Sequence, residues 1–124
     1  GGDHPELAAR FSGVGQPVLV PGDMGTASWV LAGPTSGAND AFSSSCHGAG
    51  RRLSRTAARK SIDSVSLKET LESRGIHVHV KTPNVLSEEA PDAYKDVDEV
   101  IRLTAEAGLA RPVARLRPVA VIKG

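Results

Sequence analysis

The chain has 124 residues, 40% of them hydrophobic, and only four aromatic rings, Phe11, Trp29, Phe42 and Tyr94. That length fits one domain burying about two-thirds of its unfolded surface, with Val, Leu, Ile and Ala filling most of the core. Fifteen Lys and Arg against 14 Asp and Glu leave a formal net charge of +1, which excludes a global pull toward nucleic acid and shifts attention to local patches.

Those patches are segregated. Residues 51–60 hold five positive side chains and no acid, residues 88–106 hold seven acids against Lys95 and Arg102, and residues 111–123 are basic again. Cys46 is the only cysteine, so no internal disulfide can form and a reducing compartment is expected. No apolar run approaches the roughly 18 residues of a membrane helix, and no charged segment leads into an apolar one at the start. A soluble, cytoplasmic protein without membrane contact is the expectation. The chain opens on Gly-Gly-Asp rather than Met, so its start is either processed or part of something longer.

In chain order, residues 1–16 read as loop with one weak helical turn over 6–10, started by Pro5 with Asp3 or His4 before it. Val18-Leu19-Val20, flanked by prolines, predicts a short buried strand. Pro21-Gly22-Asp23-Met24-Gly25 is a turn. In 27–32, Ala27, Trp29 and Leu31 alternate with Ser28 and Val30, which predicts a second strand. A turn-rich loop over 33–38 follows, and Phe42 opens a short extended piece. Residues 49–60 are expected to be helical, which stacks Arg51, Arg55 and Arg59 on one face. Like charges at that spacing repel by a few tenths of a kcal/mol each, so such a face is either fully solvated or turned to an anion.

Ser66-Leu67-Lys68-Glu69 has the form of a capping box with Ser66 as N-cap, opening a helix that ends at Gly75. Ile76-His77-Val78-His79-Val80 alternates cleanly and predicts a strand. His77 and His79 share its other face, as a metal-chelating pair or, with no acid or cysteine beside them, as plain surface residues. Pro91 starts a short helical turn. Asp96 with Glu99 opens a longer helix that buries Val97, Val100, Ile101 and Thr104 and ends at Gly108. Residues 115–123 form a last extended segment. Strands and helices mix without regular βαβ alternation, so the expected fold class is α+β, in a single domain or fragment over 1–124.

The stretch with the most chemistry is Cys46-His47-Gly48-Ala49-Gly50-Arg51. A neutral imidazole can attack phosphorus and form a covalent intermediate. The glycines let backbone approach a ligand, and arginines offer forked donors to phosphate. The plainer reading is a polar loop ahead of a basic surface helix.

At Pro21-Gly22-Asp23-Met24-Gly25-Thr26-Ala27-Ser28, at Cys46-His47-Gly48-Ala49-Gly50-Arg51 and at Val121-Ile122-Lys123-Gly124, the sequence resembles the RtcB family of RNA-splicing ligases. The likeness includes Glu89-Ala90-Pro91 and Tyr94-Lys95 and covers nearly the whole chain, which looks like the C-terminal quarter of that family's length. The resemblance implies an enzyme, a GTP- and manganese-dependent RNA ligase. It would join an RNA end carrying a 2′,3′-cyclic phosphate or 3′-phosphate to a 5′-hydroxyl end through a guanylylated histidine. His47 would be the nucleophile. Pro21, Gly22, Asp23, Met24, Ser28, Gly48, Ala49, Gly50, Tyr94 and Lys123 would line the nucleotide site, with Lys123 and Tyr94 on the guanine side. Arg51 and Arg55 would take RNA phosphate. Asp23 stands where many members carry serine, and is expected at the base end, accepting from guanine N–H groups.

The family's manganese ligands come from earlier in its chain, so no metal ligand is expected here and the missing N-terminal portion is an expected partner. Cys46 matches no ligand position and is expected to be a small buried residue. The 124 residues alone are expected to be inactive. The alternative is a non-catalytic RNA- or nucleotide-binding module without the metal-binding half, or a structural fragment whose basic helix faces solvent.

Overall fold

The computed structural model describes residues 5–35, 41 and 44–123. The cap candidates Asp3 and His4, the Phe42 segment, the end of the 33–38 loop and Gly124 lie outside the described residues. Along the chain come a 3-10 turn (Ala9–Phe11), β1 (Pro17–Val20), β2 (Ser28–Ala32), α1 (Arg55–Ser61), α2 (Ser64–Ser73), β3 (His77–Val80), α3 (Pro83–Glu88), a second 3-10 turn (Pro91–Ala93), α4 (Val97–Glu106), β4 (Arg111–Leu116) and β5 (Ala120–Lys123). The class is α+β, as the sequence implied.

Two packing centres organise these elements. β1, β2 and β4 form an antiparallel sheet in that order. Its inner face places Val20 and Leu31 against Val97 and Ile101 of α4, with Ala27, Ala49 and Ala110 closing the cluster. α4 faces inward because its apolar residues recur at helical spacing, and its outer residues Glu99, Arg102 and Glu106 pair with one another in solvent. The second centre joins Met24, Leu71, Ile76 and Leu86, with Leu67, Val78, Val80 and Val121 against them. Here β3 and β5 lie parallel, His77 beside Ala120 and Val80 beside Lys123, and α2 and α3 cover their inner face. No helix among the described residues is long and apolar enough to cross a membrane.

Several expectations are corrected. The helix expected over 49–60 begins only at Arg55, with Ser54 as N-cap accepting from the Ala57 N–H. Gly50 takes a φ of 76°, and Arg51 pairs in a β-bridge with Tyr94, so residues 49–54 are not helical and Arg51 is not on the helix. The second helix starts at Ser64 because Asp63, not Ser66, is its N-cap, its carboxylate accepting from the Ser66 N–H. Asp96 does cap α4, but it accepts from Asp98 N–H while Glu99 turns to Arg102, so no reciprocal box forms. The expected last strand over 115–123 is two strands that join different sheets. α3, opened by Pro83 at its first turn, was not expected. The early turn lies at Ala9–Phe11 rather than over 6–10. Cys46 is half-buried rather than buried, packed on the first core beside the Thr104 hydroxyl.

Candidate functional site

The loop between β1 and β2 is the hinge of the two centres. Met24 points into the second core, and Val20 and Ala27 into the first. Asp23 folds the loop on itself: Oδ1 accepts from Gly25 N–H at 2.8 Å and Thr26 N–H at 3.0 Å, and Oδ2 from the Thr26 hydroxyl at 2.7 Å. Gly22 sits so close to the returning chain that a Cβ there would stand 1.9 Å from the Ala27 carbonyl oxygen. Arg74, at the end of α2, donates to the Gly25 carbonyl at 2.6 Å and pins the loop from outside.

The histidine stretch is strung between this loop and the segment around Tyr94. Ala49 N–H donates to the Pro21 carbonyl at 3.0 Å, and Lys95 N–H donates to the Gly50 carbonyl at 2.9 Å. Arg52 N–H donates to the Ala93 carbonyl at 2.9 Å. Gly48 passes the Pro21 carbonyl closely enough that a Cβ would lie 3.3 Å from its oxygen. The glycines therefore serve close backbone packing as well as any ligand. His47 itself is exposed, and among the described residues it makes no hydrogen bond. Two residues earlier, the Ser45 hydroxyl is buried with no hydrogen-bond partner among the described residues.

On the far side of the β-bridge lies a dense polar cluster. Arg51 donates from Nη1 to the Glu88 carbonyl at 2.6 Å and from Nη2 to Glu89 Oε1 at 2.6 Å and to the Tyr94 hydroxyl at 3.0 Å. Its guanidinium also lies 4.7 Å from the centroid of the Tyr94 ring, a cation–π contact. The Tyr94 hydroxyl donates to Glu89 Oε2. Arg55 Nε stands 3.6 Å from Glu88 and 3.7 Å from Glu89, and Arg59 bonds Glu88 at 2.6 Å. Burial pushes the Glu89 carboxyl up, yet it stays below its ordinary value because the Tyr94 hydrogen bond and the charges of Lys123, Arg51 and Arg55 together outweigh it. The Tyr94 phenol is pushed up by burial, then by its bond to Glu89 and that residue's charge.

The structure thus brings Tyr94, Arg51, Arg55 and Lys123 together through Glu89, and links Pro21, Gly48, Ala49 and Gly50 by backbone. It buries the Met24 side chain in the core and turns Asp23's carboxylate into its own loop, so neither side chain stands free toward a ligand. Ser28 opens β2 opposite Leu116. Arg51's donors already face acid, carbonyl and phenol. A cleft of about 720 Å³ runs past Asp23, Thr26, Arg52, Tyr94, Lys95 and Arg117. His77 and His79 are exposed on one face of β3, and among the described residues no three His, Cys, Asp or Glu gather as a metal site. Sequence reasoning missed the roles of Glu88 and Glu89. The available signal was the charge segregation: an acid-free basic run over 51–60 needs acids elsewhere, and Glu88-Glu89 opens the acidic run.

A family model described as "tRNA-splicing ligase RtcB" matches residues 1–124. The chain belongs to the RtcB family. It is 51% identical over 121 residues to the tRNA-splicing ligase RtcB of Thermococcus kodakarensis, a match covering 98% of this chain and 25% of that protein. Against the Pyrococcus abyssi protein of the same description it is 49% identical over 98% of this chain and 13% of the relative. Against that of Methanopyrus kandleri it is 51% identical over 92% of this chain and 12% of the relative. The chain therefore spans a quarter or less of the length of these curated relatives. Each of these relatives is described as a tRNA-splicing ligase.

Proposed function

We propose that these residues are the nucleophile-bearing, nucleotide-binding part of an RNA ligase. It joins 2′,3′-cyclic phosphate or 3′-phosphate ends to 5′-hydroxyl ends at the expense of GTP. The observation that carries this reading is the placement of the His47 stretch. It is bonded on one side to the Pro21 loop and on the other to the Tyr94 segment, while its imidazole stays open to an incoming phosphate. A histidine nucleophile splits one difficult phosphoryl transfer into two easier ones. His47 Nε2 or Nδ1 attacks the α-phosphorus of GTP, a histidine–phosphorus bond forms, and pyrophosphate leaves. The RNA 3′-phosphate then takes the GMP from His47, and the 5′-hydroxyl displaces GMP as the new phosphodiester forms.

The set of polar groups suits a nucleotide: an exposed imidazole, an ammonium at Lys123 and a phenol at Tyr94. Arg55, largely exposed at the start of α1 (66% for the side chain), is assigned to RNA phosphate. Arg51 borders the same patch, and its bonds to Glu89 would have to loosen before it took a phosphate. For manganese the described residues do not fit, since no group of three ligand-type side chains forms among them. Its ligands belong to the N-terminal portion that we infer completes the enzyme.

The test is covalent capture. The complete ligase with GTP and manganese should gain the mass of one GMP on His47, as an acid-labile, base-stable adduct that His47→Ala abolishes. The 124 residues alone should gain none. Arg55→Ala should slow ligation and spare the adduct. An adduct on Lys123 or another lysine overturns the assignment. Salt-dependent RNA binding without any adduct would instead favour the non-catalytic module.

A further inference from the structure

Tyr94 and Lys123 come from distant parts of the chain, one following a 3-10 turn and the other ending β5. Neither is fixed by its own element. A phenol has one rotatable O–H, and a lysine ammonium swings on a four-carbon stem. Something must aim both if they are to meet one face of a base. The only carboxylate bonded to the Tyr94 hydroxyl among the described residues is Glu89, and the same carboxylate feels the charge of Lys123. Glu89 is itself well fixed. It follows directly on α3, its side chain is only 17% exposed, and its other oxygen accepts from Arg51.

We infer that Glu89 is the positioning residue of the guanine side of the site, holding the Tyr94 hydroxyl and the Arg51 guanidinium in one arrangement before nucleotide arrives, with the Lys123 charge in its neighbourhood. This rests on the reading of Tyr94 and Lys123 as nucleotide-facing. Its consequences follow from hydrogen-bond inventory. The Tyr94 proton is committed to Glu89, and one oxygen lone pair faces Arg51 Nη2. Tyr94 is therefore left one acceptor position for a ligand and no donor. Lys123, drawn toward Glu89 by charge alone, keeps donors for an acceptor on the base. Glu89 thus sets a polarity, acceptor at Tyr94 and donor at Lys123, that neither residue would keep unaided. Removing the negative charge weakens the bond that fixes the phenol and takes away the field that faces the ammonium. Bound nucleotide must then supply the ordering that the protein had supplied in advance.

The conservative variant is Glu89→Gln, which keeps shape and one acceptor but removes the charge. In the complete ligase it should raise the GTP concentration for half-maximal GMP transfer to His47 about tenfold, with the maximal rate within about twofold, the pattern of lost uniform binding. Tyr94→Phe should raise it comparably, and the double variant should cost less than the product of the two singles, because they act through one bond.

A second readout needs no activity. With 13Cζ-tyrosine label, and the Tyr94 signal assigned by its loss in Tyr94→Phe, the phenol should titrate at lower pH in Glu89→Gln than in the parent. GTP should shift that signal in the parent, and about ten times more GTP should be needed in the variant. The inference is overturned if Glu89→Gln lowers the maximal rate with half-saturation unchanged, if the two substitutions multiply independently, or if GTP leaves the Tyr94 signal unmoved. A parent enzyme that forms no adduct, yet whose Tyr94 signal responds to GTP in this Glu89-dependent way, would overturn the ligase chemistry and uphold the positioning role.

Discussion

The Glu89 corner and the His47 loop are made of similar material, polar side chains on short connections between the two packing centres, yet they are held in opposite ways. Around Glu89, an arginine, a tyrosine and a second arginine converge within hydrogen-bond or ion-pair distance, and Lys123 adds its field. Around His47 only backbone is fixed. The imidazole is exposed, and the Ser45 hydroxyl two residues before it is buried and, among the described residues, unpaired. If the corner meets a base as proposed, its ordering entropy is already lost on folding. Among the described residues no side chain is bonded to the His47 imidazole, which the proposed function would need oriented for attack. Under the proposed function, with a chain that spans a quarter or less of its curated relatives, the Glu89 corner would be the part of the site already assembled and the His47 end the part still to be completed.

The strongest way to break this contrast is to disturb the loop that joins both ends. Gly22→Ala would drive a Cβ to 1.9 Å from the Ala27 carbonyl oxygen and 3.1 Å from Val97 Cγ1. Since backbone rather than a flexible side chain must give way, the loss of stability should be about 2–3 kcal/mol, as for an overpacked core. Gly48→Ala, at 3.3 Å from the Pro21 oxygen, should cost about 1 kcal/mol or less by the same reasoning. Urea midpoints of the two variants measure this. Equal losses would mean that the β1–β2 loop is no tighter than the His47 stretch, and the contrast would fail.

An acid titration sharpens the Glu89 side. Its folded-state pKa lies below the ordinary 4.5, so between that value and the folded one the unfolded chain binds more protons. Stability then rises with pH, is fully present above 4.5, and is lost as pH falls through the folded value. Asp98 acts with the same sign below 3.8, held down by its hydrogen bond from Arg115 and, against burial, by Trp29. Denaturant midpoints taken from pH 7 to pH 3 should fall, and Glu89→Gln should flatten the upper part of that fall. A parallel curve in the variant would show that the corner contributes nothing through its charge.

These two ends also mark what the sequence could and could not tell. Alternation located β2 and β3, because burial on one face imposes a local period; a proline-flanked apolar run located β1, and Asp96 with Gly108 bounded α4. The histidine motif was visible as residues. Its support was not. Nothing local says that Arg51 leaves the helical register to bridge Tyr94, since that bond is closed by a partner far along the chain and by the positive φ of Gly50. Asp63 outcompeted Ser66 as N-cap by one alternative spacing, a choice between two side chains of similar capping strength. The pairing of β3 with β5 is likewise a long-range event. Glu89 could be seen within a resemblance and within an acidic run, but its place at the centre of three cations emerges only when α1 and α3 pack.

The smallest effect bears on the open end. A buried hydroxyl without a partner costs about 1–3 kcal/mol, and among the described residues Ser45 carries one two residues before His47. In the 124-residue chain Ser45→Ala removes that cost along with little packing, so the urea midpoint should rise by up to about 1 kcal/mol of stability. In the complete ligase the same substitution should have the opposite sign if the added portion supplies Ser45 with a hydrogen-bond partner, since the variant would then leave that partner unmet. The pair of measurements reads whether the His47 end is finished from outside, without any assay of catalysis. Destabilisation of similar size in both settings would mean that the hydroxyl is already satisfied within these residues, and that the His47 loop is as complete as the Glu89 corner.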